Sequence, residues 1–198
     1  MLTIDEKPPG FASRAIGILE GKISLDLQNG DKSIILTTDD GAEVPGVAQG
    51  RAAERIIEDP TLLFQRVRLL VYPRTERSLL KFITVDLELA PEGEKSKQAD
   101  LFLIQGFNIG KRSNTKAQIA IRPNKRSKHT FEKFWINLHG HLTDDLPCVY
   151  QVRAIRKGRK LFIIQSDPQL PKGCTPPKRR RDRYTRSSKY QKDVIFVN

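Results

Sequence analysis

Residues 43–72 read EVPGVAQGRAAERIIEDPTLLFQRVRLLVY, and the order of elements in this stretch decides the architecture. Glu43 to Ala48 is a short extended run. Arg51 to Glu58 repeats Ala52 with Ile56 and Ala53 with Ile57 at four-residue spacing, which lays one apolar stripe along a helix. Pro60 cannot continue that helix and stops it. Gln65 to Tyr72 then alternates, with Val67, Leu69 and Val71 on one face and Arg66, Arg68 and Tyr72 on the other, the period of a strand. One helix therefore sits between two strands.

Upstream, Arg14 to Leu27 carries short apolar runs broken by Gly17 and Gly21, as a bent strand does. Asn29-Gly30-Asp31 is a turn signal, and Ser33 to Thr38 is β-branched and strand-like. Asp39-Asp40-Gly41 turns again. Downstream, Tyr72 to Arg77 reads as a proline-bearing surface turn that presents Tyr72 and Arg74 to a partner. The following strand, LLKFITVDLEL, alternates. Ile83, Val85, Leu87 and Leu89 are expected inward, and Phe82, Thr84, Asp86 and Glu88 outward. Pro91 to Asp100 is polar and apolar-poor, the composition of a linker.

The second half repeats the rhythm. Leu101 to Gly110 is a strand with glycine breaks, and Lys116 to Arg122 alternates with Ala117, Ile119 and Ile121 on one face. Pro123 to Thr130 is a basic loop. Phe134 to Leu142 places Phe134, Ile136, Leu138 and Leu142 inward and Trp135, Asn137, His139 and His141 outward. Val149 to Ile155, a Lys157-Gly158-Arg159 turn and Lys160 to Gln165 form a last hairpin.

Strand, strand, strand, helix, strand, strand in the first half resembles the OB-fold, a small five-stranded Greek-key barrel. Gly46 to Gly50 and Ile136 to Gly140 fall at equivalent places, with only Thr143 to Pro147 where a second helix would sit. The expected fold is mainly β: two OB-like Greek-key barrels in tandem, one short helix in the first, and a basic disordered C-terminal tail. The expected boundaries are an arm at 1–11, a first module at 12–90, a linker at 91–100, a second module at 101–167 and the tail at 168–198.

Charge divides along the same lines. The 198 residues carry 35 Lys+Arg and 23 Asp+Glu, a net of +12. Residues 1–100 hold 13 Lys+Arg against 17 Asp+Glu, a net of −4; residues 101–170 hold 13 against 4, a net of +9; residues 171–198 hold 9 against 2, a net of +7. An acidic module followed by a basic module and tail points to a polyanion partner for the second half.

OB-folds bind single strands with aromatics that stack on bases and cations that track phosphates. Trp135 lies on the outward face of the second module, with His139 and His141 beside it for polar contact to bases or phosphates. Lys111, Arg112, Lys116, Arg122, Lys125, Arg126 and Lys128 lie upstream, and Arg153, Arg156, Lys157 and Arg159 follow on the last hairpin. The competing role for Trp135 is to pack between the modules, since tryptophan is usually largely buried.

In the tail, Lys178, Arg179, Arg180, Arg181, Arg183, Tyr184 and Arg186 mix cations with aromatics, a composition that folds onto RNA in other arginine-rich segments. The chain ends on DVIFVN, where Ile195 and Phe196 would add to a sheet edge of a partner or of the chain itself. The expectation is non-catalytic binding of single-stranded or structured RNA, ahead of single-stranded DNA, in a ribonucleoprotein or replication complex, with a protein partner for the first module or the C-terminal end. Two alternatives remain open here. One is an adaptor for an acidic partner. The other is a metal-independent ribonuclease using His139 and His141, two residues apart on one strand face.

Several classes find no support. No run approaches the roughly 18 apolar residues that span a bilayer. The acidic start MLTIDEKPPGF is unlike a signal peptide, and two cysteines, Cys148 and Cys174, make no disulfide framework, so a cytoplasmic location without membrane contact is expected. There is no phosphate loop ending in Lys-Ser or Lys-Thr and no Gly-x-Ser-x-Gly elbow. No cofactor or metal is expected: zinc at His139 and His141 would need His129, Cys148, Asp144 or Asp145 to complete it, and nothing in the spacing demands that.

Overall fold

The computed structural model describes residue 2, residues 13–26, 28, 32–91, 93, 95–108, 115–122, 134–143 and 147–169. Among the described residues ten strands form a closed five-stranded barrel and a second five-stranded ring that one residue pair closes. In the first, β1 (Arg14–Leu25) pairs antiparallel with β2 (Ser33–Thr38), and β2 with β3 (Glu43–Ala48). The third strand lies parallel to β5 (Leu79–Leu89), which pairs antiparallel with β4 (Arg66–Glu76), and β4 returns to β1. Helix α1 (Arg51–Glu58) and a 3₁₀ turn over Pro60–Phe64 carry the chain from β3 to β4.

The second barrel has the same ring order. Strand β6 (Leu101–Asn108) pairs with β7 (Lys116–Ile121), β7 with β8 (Phe134–His139), β10 (Lys160–Gln169) with β9 (Val149–Lys157), and β9 with β6. Its parallel closure, β8 to β10, is a single residue pair, His139 with Phe162. Gly50 and Gly140, one or two positions past the third strand of each ring, both take positive φ (53° and 112°), as expected of equivalent turns.

Strand β1 serves three partners, and its glycines make this possible. A Cβ on Gly21 would lie 2.3 Å from the Thr37 carbonyl oxygen, and one on Gly17 would lie 2.2 Å from the Phe102 ring. Without side chains at these points, β1 coils from β2 and β4 onto β6, pairing Arg14 with Gln105 through Gly17 with Phe102. That pairing joins the barrels edge to edge. One apolar core runs through both, from Leu19, Leu36 and Leu87 to Phe102, Ile136 and Tyr150.

Three local expectations are corrected. In β5, Leu80, Phe82, Thr84 and Leu87 are the buried residues, while Ile83 and Val85 are half-buried and Leu89 is 51% exposed. Leu70 pairs with Asp86 but Val71 with Thr84, so Val85 is an unpaired bulge residue, and the bulge reverses which parity faces the core. Phe82 occupies the space above Gly46 that any larger residue there would fill.

The expected turn at Tyr72 to Arg77 is instead strand. Strand β4 continues through Pro73, paired with Phe82, to Glu76, and the chain reverses at Arg77-Ser78 (φ 48° and 72°), the left-handed pair that a two-residue hairpin of this hand requires. On α1, Ala52 and Ile56 are buried as the stripe implies, whereas Ile57 is 77% exposed.

Candidate nucleic-acid interface

On β7 and β8 the residues in the core are Ala117, Ile119, Ile121, Ile136 and Leu138. Alternation therefore turns Lys116, Gln118 and Ala120 of β7, and Trp135, Asn137 and His139 of β8, to the outer face. Register places Gln118 opposite Asn137, Ala120 opposite Trp135 and Lys116 opposite His139.

At the β8–β10 closure, the His139 ring stacks on Phe162 with centroids 5.1 Å apart, and Lys157 Nζ lies 5.8 Å from the Phe162 centroid. Burial, with Lys160 and then Lys116 nearby, holds the His139 imidazole below its ordinary pKa, which favours the neutral form. Among the described residues, no carboxylate lies within ion-pair distance of Lys116, Lys157 or Lys160. The arginines of the first barrel differ. Arg66 binds Glu20 and Asp39, and Arg68 binds Glu20 and Glu88.

The first barrel reaches into this region. Because β10 leaves β8 after one pair, the edge of β8 needs other partners, and Thr75 of β4 supplies them. Its Oγ1 accepts from Asn137 N (2.9 Å) and Asn137 Nδ2 (3.2 Å) and donates to the Trp135 carbonyl (3.3 Å). Arg74 packs over the Phe134 ring, 3.6 Å from its centroid, and burial lowers its pKa. Arg74, expected to meet an external partner, thus contacts the second barrel; Tyr72 is 39% exposed.

Thr75→Val keeps the shape but removes one donor and two acceptor sites. It is expected to cost about 1–3 kcal/mol, read as a lower denaturant midpoint with an unchanged slope; an unchanged midpoint would mean that water replaces the hydroxyl.

The other expected site residues are dispersed. Lys116 and His141 are exposed near the His139 end, and Arg122 is exposed at the far end of β7. Trp135 is half-buried and engaged in contacts. Arg153 is half-buried on β9, between β6 and β10 and away from β7–β8. Arg159 is half-buried, and its carbonyl accepts from Leu80 N of the first barrel.

Arg156 corrects the sequence expectation. It is 4% exposed, and its guanidinium is held by Asp100 and Asp40, which leaves it unavailable to phosphate. Lys111, Arg112, Lys125, Arg126, Lys128, Lys178, Arg179, Arg180, Arg181, Arg183, Tyr184, Arg186, Ile195 and Phe196 lie outside the described residues, as does His129.

Sequence reading missed Gln118, Phe162, Lys160 and Thr75 as site residues. Gln118 alone had a signal: it is the outward polar residue between Lys116 and Ala120. The described residues contain no group of three or more His, Cys, Asp and Glu side chains placed to hold a metal. No helix among them is long and apolar enough to cross a membrane. A scan against protein-family models finds no match. A search of curated proteins finds no match either.

Proposed function

We propose that the protein is a non-catalytic nucleic-acid-binding protein that holds single-stranded or structured RNA, or single-stranded DNA, on the β7–β8 side of its second barrel. The carrying observation is the cluster of Lys116, Lys157 and Lys160, without carboxylate partners among the described residues, around the stacked His139–Phe162 pair. This is the second-and-third-strand face, with the adjoining fourth-to-fifth-strand turn, on which OB-like barrels bind oligonucleotides. Cations there neutralise phosphates, and a stacked base adds about 1–3 kcal/mol. The Arg-rich tail adds charge and favours RNA. Work within a ribonucleoprotein or replication complex in the cytoplasm follows from the same reading.

Replacing Lys116, Lys157 and Lys160 together by Gln is expected to lower the slope of log K against log salt by about 2, at ~0.7 per phosphate on a single strand. Fluorescence anisotropy with labelled single-stranded RNA, single-stranded DNA and duplex measures this. An unchanged slope, or binding lost only when the chain is ended at Pro171, would reduce the protein to a polycationic tail and sink the barrel site.

A different surface favours a protein partner for the first barrel. Ile57 and Phe64 are 77% and 82% exposed, and Glu54, Glu58 and Asp59 are exposed beside them in the chain. Large apolar side chains left in water are a common mark of a contact surface. The adaptor reading, in which the basic half meets an acidic protein, requires binding that ignores Trp135 and shows no preference for flexible strands.

A further inference from the structure

Gln118 is 5% exposed, and its Oε1 is buried with no hydrogen-bond partner among the described residues. A buried unpaired acceptor costs free energy, so it requires an explanation. The hydrogen bonds around it determine which amide atom is left over. The Trp135 carbonyl can only accept and the Asn137 backbone N–H can only donate, so the Thr75 hydroxyl proton goes to Trp135 and its oxygen accepts. Asn137 must then turn Nδ2 toward Thr75 and Oδ1 toward β7. Gln118 donates Nε2 to that Oδ1 at 3.0 Å, which leaves Oε1 as a fixed acceptor.

Trp135, Asn137 and His139, its cross-strand and diagonal neighbours, remain partly open to solvent. Gln118 shares the parity of the face assigned above to nucleic acid and is flanked there by these partly open side chains. His139 Nε2, on the same face, is also buried without a hydrogen-bond partner among the described residues.

We propose that Gln118 reads a base: its Oε1 accepts a hydrogen bond from the exocyclic amino group of a nucleobase held on the β7–β8 face, and Thr75 of the first barrel is the positioning residue that sets its polarity. The inference rests on the nucleic-acid reading above and adds a selectivity to it. It also gives the acidic barrel a part in recognition without any contact to the ligand.

The test compares the full chain's binding to a short oligoadenosine and to the matching oligomer of unsubstituted purine riboside, which keeps the ring and lacks the amino group. The expected result is a preference of about three- to tenfold for adenosine, the scale of one neutral hydrogen bond. Gln118→Met, similar in size and unable to accept strongly, should bring the ratio to about one. Thr75→Val should lower the ratio and Thr75→Ser should keep it, with thermal midpoints recorded so that folding is not mistaken for selectivity. Equal binding of the two oligomers by the unaltered protein, or a preference that survives Gln118→Met, overturns the proposal and leaves the acceptor to a bound water. If neither oligomer binds at moderate salt, the nucleic-acid reading itself fails, and this inference with it.

Discussion

Glu20→Gln is expected to destabilise the protein by about 3–5 kcal/mol, the range for stripping one partner from a buried ion pair. The Glu20 side chain is fully buried on the outer face of β1, and Arg68 opposite it on β4 is only 2% exposed. Glu20 Oε1 accepts from Arg68 Nε at 2.7 Å, and Oε2 accepts from Arg66 Nη2 at 2.7 Å. Arg68 then reaches Glu88 at 3.0 Å, and Arg66 reaches Asp39 at 2.9 Å.

A neutral amide fills the same space but leaves Arg68 with one charged partner, and that partner is nearer the surface. The cost comes from the guanidinium still held away from water, more than from the attraction lost. Glu20→Leu combined with Arg68→Met should therefore recover much of the stability, because neither charge then needs desolvating. Urea unfolding at fixed pH measures both variants. If the double variant is no better than Glu20→Gln, the pair is held by attraction and the desolvation account is wrong.

Strand order, the bounds of α1 and the repeat of one ring order in both halves were legible, because each follows from local signals. These are four-residue spacing in RAAERIIE, alternation in β4, β7 and β8, and glycine at the ends of β3 and β8. The parity of β5 was not legible. A bulge at Val85 leaves no chemical trace in a run of β-branched and apolar residues, yet it moves Phe82 into the core and leaves Ile83 half-buried. Pro73 misled for the opposite reason: a turn-former in isolation, it is tolerated within β4.

Of the site, the basic character of the second barrel was visible in the charge counts, but its geometry was not. Gln118 gains meaning only when register sets it against Asn137 and a threonine 43 positions earlier sets the amide's direction. Arg156 could have been read correctly. Tyr150, Val152 and Ala154 share a buried parity on β9, and Arg156 continues it.

Arg156→Met carries the other large expected effect, about 3 kcal/mol or more of lost stability, and no change in the salt dependence of nucleic-acid binding. Arg156 Nε donates to Asp100 Oδ1 at 2.5 Å, and Nη1 donates to both oxygens of Asp40 at 3.0 Å and to the Gly158 carbonyl at 2.8 Å. Asp40 sits in the turn between β2 and β3 of the first barrel, so this guanidinium fastens the β9–β10 turn of the second barrel to the first. Asp100 is 4% exposed, donates its backbone N–H to Ile18 and accepts from Arg156 N. Without Arg156 its one remaining ion-pair partner among the described residues is Lys95, whose side chain is 48% exposed, and a nearly buried carboxylate is left poorly matched.

Asp100→Asn in the same chain should restore part of the loss. Asparagine removes the charge and tolerates the left-handed backbone at this position (φ 65°). The acid limb supplies an independent reading. Burial opposes ionisation of Asp40, but the Thr38 hydroxyl and the Arg156 guanidinium outweigh it and hold its carboxyl well below the usual carboxylate range. A carboxylate depressed on folding contributes stability above its unfolded pKa of about 3.9, and that contribution is lost as pH falls toward the folded value. Stability of the unaltered protein should therefore fall on acidification below about pH 4, and Arg156→Met should flatten the part of that fall owed to Asp40. A parallel acid limb in both proteins would show that the latch does not couple to Asp40. A salt slope lowered by about 0.7 in Arg156→Met would return this residue to the phosphate-binding set.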